Sequence, residues 1–137
     1  MTKLIVDDKE IDVPPEYTLL QACEAAGAEI PRFDLISLGM GPDGHTASLF
    51  PGSPALEVGP QVLVVATTDP NGQNPHPRLS LTLPAIDQAR LAVFTVAGEP
   101  KRRAVARIRA GDDLPAARVR AEQVRWLVDR AAYGAAG

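Results

Sequence analysis

The chain has 137 residues, of which 45% are apolar, and this is enough for one ordinary domain with a hydrophobic core. The net charge of −3 and an aromatic content of only 4% argue against a nucleic-acid-binding protein. A single cysteine, Cys23, excludes an intramolecular disulfide and a cysteine-based metal or iron–sulfur site. No run of about 18 apolar residues occurs, so we expect a cytoplasmic protein without membrane contact.

The first 33 residues predict a β-hairpin followed by a helix. Residues 4–6 (Leu-Ile-Val) and 11–13 (Ile-Asp-Val) lie on either side of a polar turn at residues 7–10. Thr18 is a fair N-cap for a helix that Gly27 would end. Residues 30–33 are expected to be extended. This pattern is closer to an α+β segment than to the rest of the chain.

From residue 34 onward, predicted strands alternate with predicted helices. Such alternation predicts an α/β domain with a mainly parallel sheet. A loop is expected at residues 69–77, and a helix is expected to begin near His45. The other predicted helices are 84–90, 100–110 (with Val105 and Ile108 inward) and a short one from Asp129; the predicted strands are 34–39, 62–66 (buried), 79–83, 91–96 and 124–128.

The basic residues are concentrated near the end of the chain. Residues 99–137 carry nine basic and five acidic side chains. A basic segment can steer an anionic ligand towards a site. A solvated, arginine-rich helix face accounts for the same pattern, and both explanations stay open.

A glycine-rich turn, GMGPDGH, follows the predicted strand at residues 34–39 and ends at His45. Glycines allow the backbone to come close to a ligand, and open α/β sheets bind ligands at the carboxyl ends of their strands. A helix beginning just beyond would present free N–H groups to an anion. An imidazole in this place is a candidate general base, although a histidine that merely begins a helix is the alternative. The candidate substrate- and phosphate-binding residues of the turn are Gly41, Asp43 and Gly44.

The segment FDLISLGMGPDGHTASLFPG at residues 33–52 closely resembles the signature of the 6-phosphogluconolactonase family. PRLSLTLP at 77–84, VAGEPK at 96–101 and VRWLVDRAA at 124–132 follow in the matching order. The resemblance covers about residues 33–134, which correspond to the second half of that family's chain. It implies a fold akin to glucosamine-6-phosphate deaminase, and hydrolysis of 6-phospho-D-glucono-1,5-lactone in the pentose phosphate pathway without metal or cofactor.

The same resemblance implies roles for three side chains. His45 matches the family's catalytic histidine, which activates the water that attacks the lactone carbonyl. Lys101 matches a basic residue that helps to hold the substrate phosphate, and Arg78 is a weaker match for a second cation on the substrate side. A surface lysine at the start of a helix and a charge at a strand edge are the respective alternatives.

Residues 1–33 resemble a different protein, the large iron–sulfur protein of NADH-quinone oxidoreductase, which opens with a β-grasp segment. Asp34 stands where that family places a ligating cysteine, and one cysteine cannot hold an iron–sulfur cluster. We therefore expect a chimera, either natural, engineered or created by a gene-model error. The predicted domains are a hairpin and helix segment at 1–33 and a lactonase-like α/β half-domain at 34–137.

Two features of the lactonase family's first half do not occur in these 137 residues, namely a glycine- and serine-rich phosphate loop and an Asp-Glu-Arg stretch. We therefore expect weak or lost lactonase activity on a sugar phosphate. An uncovered sheet edge is a place where a homodimer could form. A non-enzymatic folded chimera with a vestigial site is the main alternative, and an electron-transfer module is a second one, against which the single cysteine argues.

Overall fold

The computed structural model describes residues 1–6, 8–15 and 32–134. The chain forms two compact units, Met1–Arg32 and Phe33–Gly137. The helix predicted from Thr18 to Gly27 lies outside the described residues. Within the described ranges, no helix is both long enough and apolar enough to cross a membrane.

The first unit contains the predicted hairpin. Strand β1 (Thr2–Val6) pairs antiparallel with β2 (Lys9–Val13), and Val6 lies opposite Lys9. The tight connection places Asp8 at a φ of 62°, a left-handed conformation that aspartate tolerates better than most residues. The prediction of a hairpin with a polar turn is therefore confirmed.

In the described part of the second unit, strands alternate with α-helices from residue 78 onward, whereas no α-helix separates the first three strands. Three short 3₁₀ turns lie between them, at Pro54–Glu57, Glu99–Lys101 and Pro115–Arg118. The strands are β3 (Leu35–Leu38), β4 (Val64–Thr67), β5 (Arg78–Leu81), β6 (Leu91–Val96) and β7 (Gln123–Val128), and the helices are α1 (Leu83–Asp87), α2 (Arg102–Arg109) and α3 (Arg130–Tyr133).

The main sheet has the order β3-β6-β7, and both of its strand pairs are parallel. The central strand β6 carries the core, since Ala92, Phe94 and Val96 are almost completely buried. The residues between them are less buried, since Leu91 and Val93 are half-buried and Thr95 is exposed, so one face of β6 forms the core. The predicted α/β fold with a mainly parallel sheet is confirmed.

Strands β4 and β5 form a separate antiparallel pair. The predicted strand at residues 62–66 therefore exists, but the prediction that it is buried is wrong. Ala66 is exposed and Val64 is only half-buried, because this pair lies outside the main sheet.

The three helices begin and end with the expected signals. Thr82 caps α1 by accepting a hydrogen bond from the Ala85 N–H at 3.2 Å. Helix α2 buries Val105 and half-buries Ile108, and Gly111 follows it with a φ of 95°. Asp129 caps α3 through the Ala132 N–H at 2.8 Å. The three predicted helices at 84–90, 100–110 and after Asp129 are confirmed with somewhat different limits.

The helix predicted near His45 does not exist. The chain after His45 forms tight turns held by an isolated bridge between Thr46 and Leu49. Ala47 has a φ of 49°, which is incompatible with a right-handed helix, and the next helical turn begins only at Pro54. The glycine turn therefore has no helix N-terminus beside it, and the predicted source of free N–H groups for an anion is absent.

Phe94 is the central aromatic residue of the core. It has no exposed surface, and its ring stacks on Trp126 of β7 with 4.0 Å between centroids. We predict that Phe94→Ala lowers the free energy of unfolding by about 3–5 kcal/mol, because it leaves a cavity under the stacked indole. Urea denaturation followed by the fluorescence of the single tryptophan measures this change.

Leu127→Ala is the matched control, because Leu127 lies next to Trp126 on the same strand and is 59% exposed. Its unfolding free energy should stay within about 0.5 kcal/mol of the parent value. Equal losses in the two variants would contradict the placement of the core on β6.

The carboxylate of Asp69 organises the loop between β4 and β5. It accepts hydrogen bonds from the Asn71 N–H at 2.9 Å and from the Asn74 N–H and side-chain amide at 3.1 and 3.0 Å. Burial alone raises the pKa of Asp69, but the hydrogen bonds from Asn74 and Asn71 outweigh it, and the pKa lies below its usual value of 3.8. The loop therefore favours the ionised carboxylate.

This shift predicts an acid-sensitive contribution to stability. Because the folded pKa is lowered, the contribution is complete above about pH 4 and is lost as the pH falls through the folded pKa. We expect the melting temperature of the parent to fall more steeply below pH 4 than that of Asp69→Asn, measured by circular dichroism. Parallel pH profiles for the two proteins would show that the carboxylate does not stabilise the fold.

Candidate active site

The glycine turn lies directly beyond the carboxyl end of β3. Two main-chain hydrogen bonds close it, from the Gly44 N–H to the Gly41 carbonyl and from the Gly41 N–H to the His45 carbonyl, both at 2.9 Å. The N–H groups of both glycines are thus engaged inside the turn. The turn places the side chains of Asp43 and His45 side by side.

Asp43 and His45 form the central contact of the site. Asp43 Oδ1 lies 2.5 Å from His45 Nδ1 and also accepts the His45 N–H at 3.1 Å. The two side chains are 18% and 23% exposed, so they face a largely dry environment that still opens to solvent. An ionised carboxylate can only accept a hydrogen bond, so Nδ1 carries a proton, and in the neutral imidazole the lone pair is then on Nε2. This arrangement makes Nε2 a base.

The close approach of these residues requires glycine at position 41. A Cβ placed there would collide with His45 Cε1 and Nδ1 and would lie 2.7 Å from Asp43 Oδ1. The ring of the buried Phe50 lies 5.0 Å from the imidazole, centroid to centroid. The imidazole therefore has both the backbone of the turn and an aromatic ring as neighbours.

A second segment, residues 114–116, packs against the turn at Gly44. Gly44 has a φ of 86°, and a Cβ on it would lie 2.9 Å from Leu114 Cβ. The Ala116 N–H donates to the Gly44 carbonyl at 3.0 Å. This support is itself anchored by Arg118, which pairs with Asp113 and Glu57, and both contacts raise the pKa of the Arg118 guanidinium.

Lys101 brings a positive charge to the same turn. Its ammonium donates to the Met40 carbonyl at 2.5 Å, and its side chain is half-buried. The loop that carries it begins at Gly98, whose N–H donates to the Asp129 carboxylate at 3.1 Å. The parallel pairing of β3 and β6 brings both loops to one edge of the sheet, so a cation and a base meet there.

Arg78 is not joined to this cluster. It is exposed at the first position of β5, and within the described ranges no hydrogen bond or ion pair connects it with His45 or Lys101. Its strand does reach the site segment, because Ser80 accepts the Ser48 N–H at 3.1 Å. Side chains two residues apart share one side of a strand, so Arg78 and Ser80 point the same way.

The structure thus brings together Gly41, Asp43, Gly44, His45 and Lys101 and leaves Arg78 apart. Sequence reasoning missed Phe50 and Leu114, whose apolar character indicated only a core position, and the Met40 carbonyl, which no side-chain pattern can reveal. In the part of the chain that the structure describes, no three His, Cys, Asp or Glu side chains are placed to hold a metal ion.

These features define a class: an α/β domain whose parallel strands end at a carboxylate-paired histidine and a lysine, as in ligand-binding α/β folds with acid–base chemistry. Residues 14–128 match the family described as glucosamine-6-phosphate isomerases/6-phosphogluconolactonase. The chain therefore belongs to this family.

Individual relatives agree with that assignment. A 6-phosphogluconolactonase of a Synechocystis species is 43% identical over an alignment 122 positions long, which covers 85% of this chain and 49% of that protein. The 6-phosphogluconolactonase of Rattus norvegicus is 41% identical over an alignment 149 positions long, gaps included, which covers 96% of this chain and 56% of that protein. The crystal structure of 6-phosphogluconolactonase from Thermotoga maritima superposes with a TM-score of 0.63 at 36% identity, over 85% of this chain and 54% of that one. The chain spans about half the length of these relatives.

The geometry of the turn predicts opposite outcomes for two neighbouring glycines. We expect Gly41→Ala to push the His45 ring away from Asp43, because the new methyl group would occupy the place of the ring. The imidazole Nδ1 proton, observed by NMR, should then lose its hydrogen-bonded signal.

Gly39→Ala is the control, since a Cβ on Gly39 meets nothing within 4 Å. This variant should keep the parent signal. An unchanged Nδ1 signal in Gly41→Ala would show that the close approach does not constrain the histidine.

Proposed function

We propose that this site hydrolyses 6-phospho-D-glucono-1,5-lactone to 6-phosphogluconate, a step of the pentose phosphate pathway, with His45 as the general base. The observation that carries the proposal is the contact between His45 Nδ1 and Asp43, which places the lone pair of the neutral imidazole on Nε2, beyond the carboxyl end of β3. The relatives named 6-phosphogluconolactonase support the choice of reaction.

In the proposed chemistry Nε2 of His45 transfers the proton, and Nδ1 keeps its contact with Asp43. Nε2 takes a proton from a water molecule, whose oxygen attacks the lactone carbonyl carbon. The bond between that carbon and the ring oxygen then breaks, and the imidazolium returns its proton to the departing ring oxygen. Asp43 keeps the ring in place and stabilises the imidazolium while it carries the positive charge. In this role Asp43 acts through His45 and does not contact the phosphate.

We propose that positively charged side chains bind the phosphate group of the substrate. The ammonium of Lys101 has three donors, and only one of them is used by the Met40 carbonyl. Arg78 would add a second charge if substrate binding brings its side chain in from β5. The N–H groups of Gly41 and Gly44 form hydrogen bonds inside the turn and are not available to the phosphate. In this proposal the two glycines allow His45 to lie close to the backbone of the turn.

We also infer that these 137 residues alone hydrolyse the lactone weakly. Holding a substrate in a reactive position contributes several kcal/mol in such reactions. Among the described residues, Lys101 is the cation that contacts the turn, and the glycine- and serine-rich loop of the family's first half is not part of this sequence. Hydrolysis should therefore exceed the spontaneous rate only modestly.

An assay of lactone hydrolysis on the purified chain tests the catalytic assignment. His45→Ala should reduce hydrolysis to the spontaneous rate, because the general base is gone. His76→Ala is the matched control, since His76 is exposed in the loop between β4 and β5 and should behave like the parent. The assignment is wrong if His45→Ala hydrolyses the lactone as fast as the parent.

We further infer a separate origin for the N-terminal segment, with a join near Phe33. The boundary between the two compact units, after Arg32, supports this placement. The family match begins at residue 14 and runs across this join, so it counts against a separate origin for residues 14–32 and leaves only residues 1–13 outside the match. Sequencing the genomic region across the proposed join tests the inference, and an uninterrupted lactonase gene at that point would contradict it.

The cytoplasmic location and a homodimer through an uncovered sheet edge stay predictions. Within residues 32–134, β3 and β7 each have a strand neighbour on one side only. Sedimentation equilibrium measures whether two chains associate.

A further inference from the structure

Thr46 is a buried polar residue that the proposed chemistry does not use. It has no exposed surface, although it directly follows the half-buried His45. Its hydroxyl donates to the Gly39 carbonyl at 2.8 Å. Gly39 is the first residue after β3, so this hydrogen bond joins the far end of the glycine turn to the end of the strand.

The bond matters because no helix follows His45. In a helix, the main chain after the histidine would be fixed by repeated hydrogen bonds. Here Ala47 has a positive φ, and the chain is instead fixed by individual contacts. The Thr46 carbonyl accepts the Leu49 N–H at 2.9 Å, and Leu49 is completely buried. Thr46 therefore connects His45 both to the sheet and to the core.

The other contacts of His45 do not provide this connection. Asp43 and Gly41 belong to the same turn and would move with it. Phe50 restrains the ring by packing, which fixes its direction less strictly than a hydrogen bond. The Thr46 hydroxyl is thus the side-chain hydrogen bond that ties the His45 end of the turn to the residue following β3.

We propose that Thr46 is a positioning residue for His45. Its hydroxyl holds the main chain so that the imidazole stays against Asp43 with Nδ1 protonated. The expected effect on turnover rests on the proposed lactone hydrolysis, whereas the effect on the ring does not.

Two pairs of variants, each differing by the hydroxyl, test the proposal on the full 137-residue chain. Thr46→Val is compared with the parent, and Thr46→Ala is compared with Thr46→Ser. The first readout is the NMR signal of His45, which reports the ring nitrogen that carries the proton. The second readout is kcat and KM for lactone hydrolysis.

We expect the parent and Thr46→Ser to show a single Nδ1-protonated form, and Thr46→Val and Thr46→Ala to show a mixture. In the two variants without the hydroxyl, kcat should fall towards the spontaneous rate with little change in KM, which is the effect of a misplaced catalytic group. The amide signals of β6 and β7 should not change, because those strands lie outside the turn.

An unchanged His45 signal in both variants that lack the hydroxyl would overturn the proposal. If Thr46→Val does not fold, the Thr46→Ala and Thr46→Ser pair decides the matter in the same way. If the parent shows no turnover, the lactone-hydrolysis proposal fails for this chain, while the His45 signal still accepts or rejects the role of Thr46.

Discussion

The close approach of the Gly41 backbone to the His45 ring is the constraint on which the site depends. It allows the turn to be so tight that Asp43, two residues before the histidine, reaches Nδ1 with its carboxylate. That contact determines which nitrogen carries the proton and therefore which nitrogen is the base. A side chain at position 41 would remove both properties together. The chemistry of the site thus follows from the absence of a single Cβ.

The parallel sheet brings a positively charged side chain to the turn. Because β3 and β6 run side by side in the same direction, their carboxyl ends bring Lys101 to the Met40 carbonyl, sixty-one positions away in the chain. The Asp129 carboxylate at the end of β7 binds the Gly98 N–H and so fixes the loop that carries Lys101. A base and a cation thereby meet at one edge of the sheet, on a rigid core built around Phe94. A base and a cation on one edge are suited to the anionic, hydrolysable ligand that we propose.

Most of the strands and helices could be predicted from the sequence, because runs of apolar residues indicate the strands and glycines mark where elements end. The prediction of a helix after His45 was wrong because Ala47 has a left-handed backbone conformation, which a pattern of apolar residues does not indicate. The prediction that residues 62–66 are buried was wrong because a run of β-branched residues indicates a strand but not the sheet that the strand joins. The contacts of Lys101 and Thr46 use main-chain carbonyls, which carry no signature in the sequence.

The central claim is that His45 and Lys101 form one site for a sugar phosphate. Titrating the isotopically labelled chain with 6-phosphogluconate, the product of the proposed reaction, tests this most directly. We expect the His45 ring signals and the Lys101 side-chain signal to shift together along one saturable binding curve. Signals that stay in place at millimolar product, or that shift only at residues remote from the glycine turn, would contradict it.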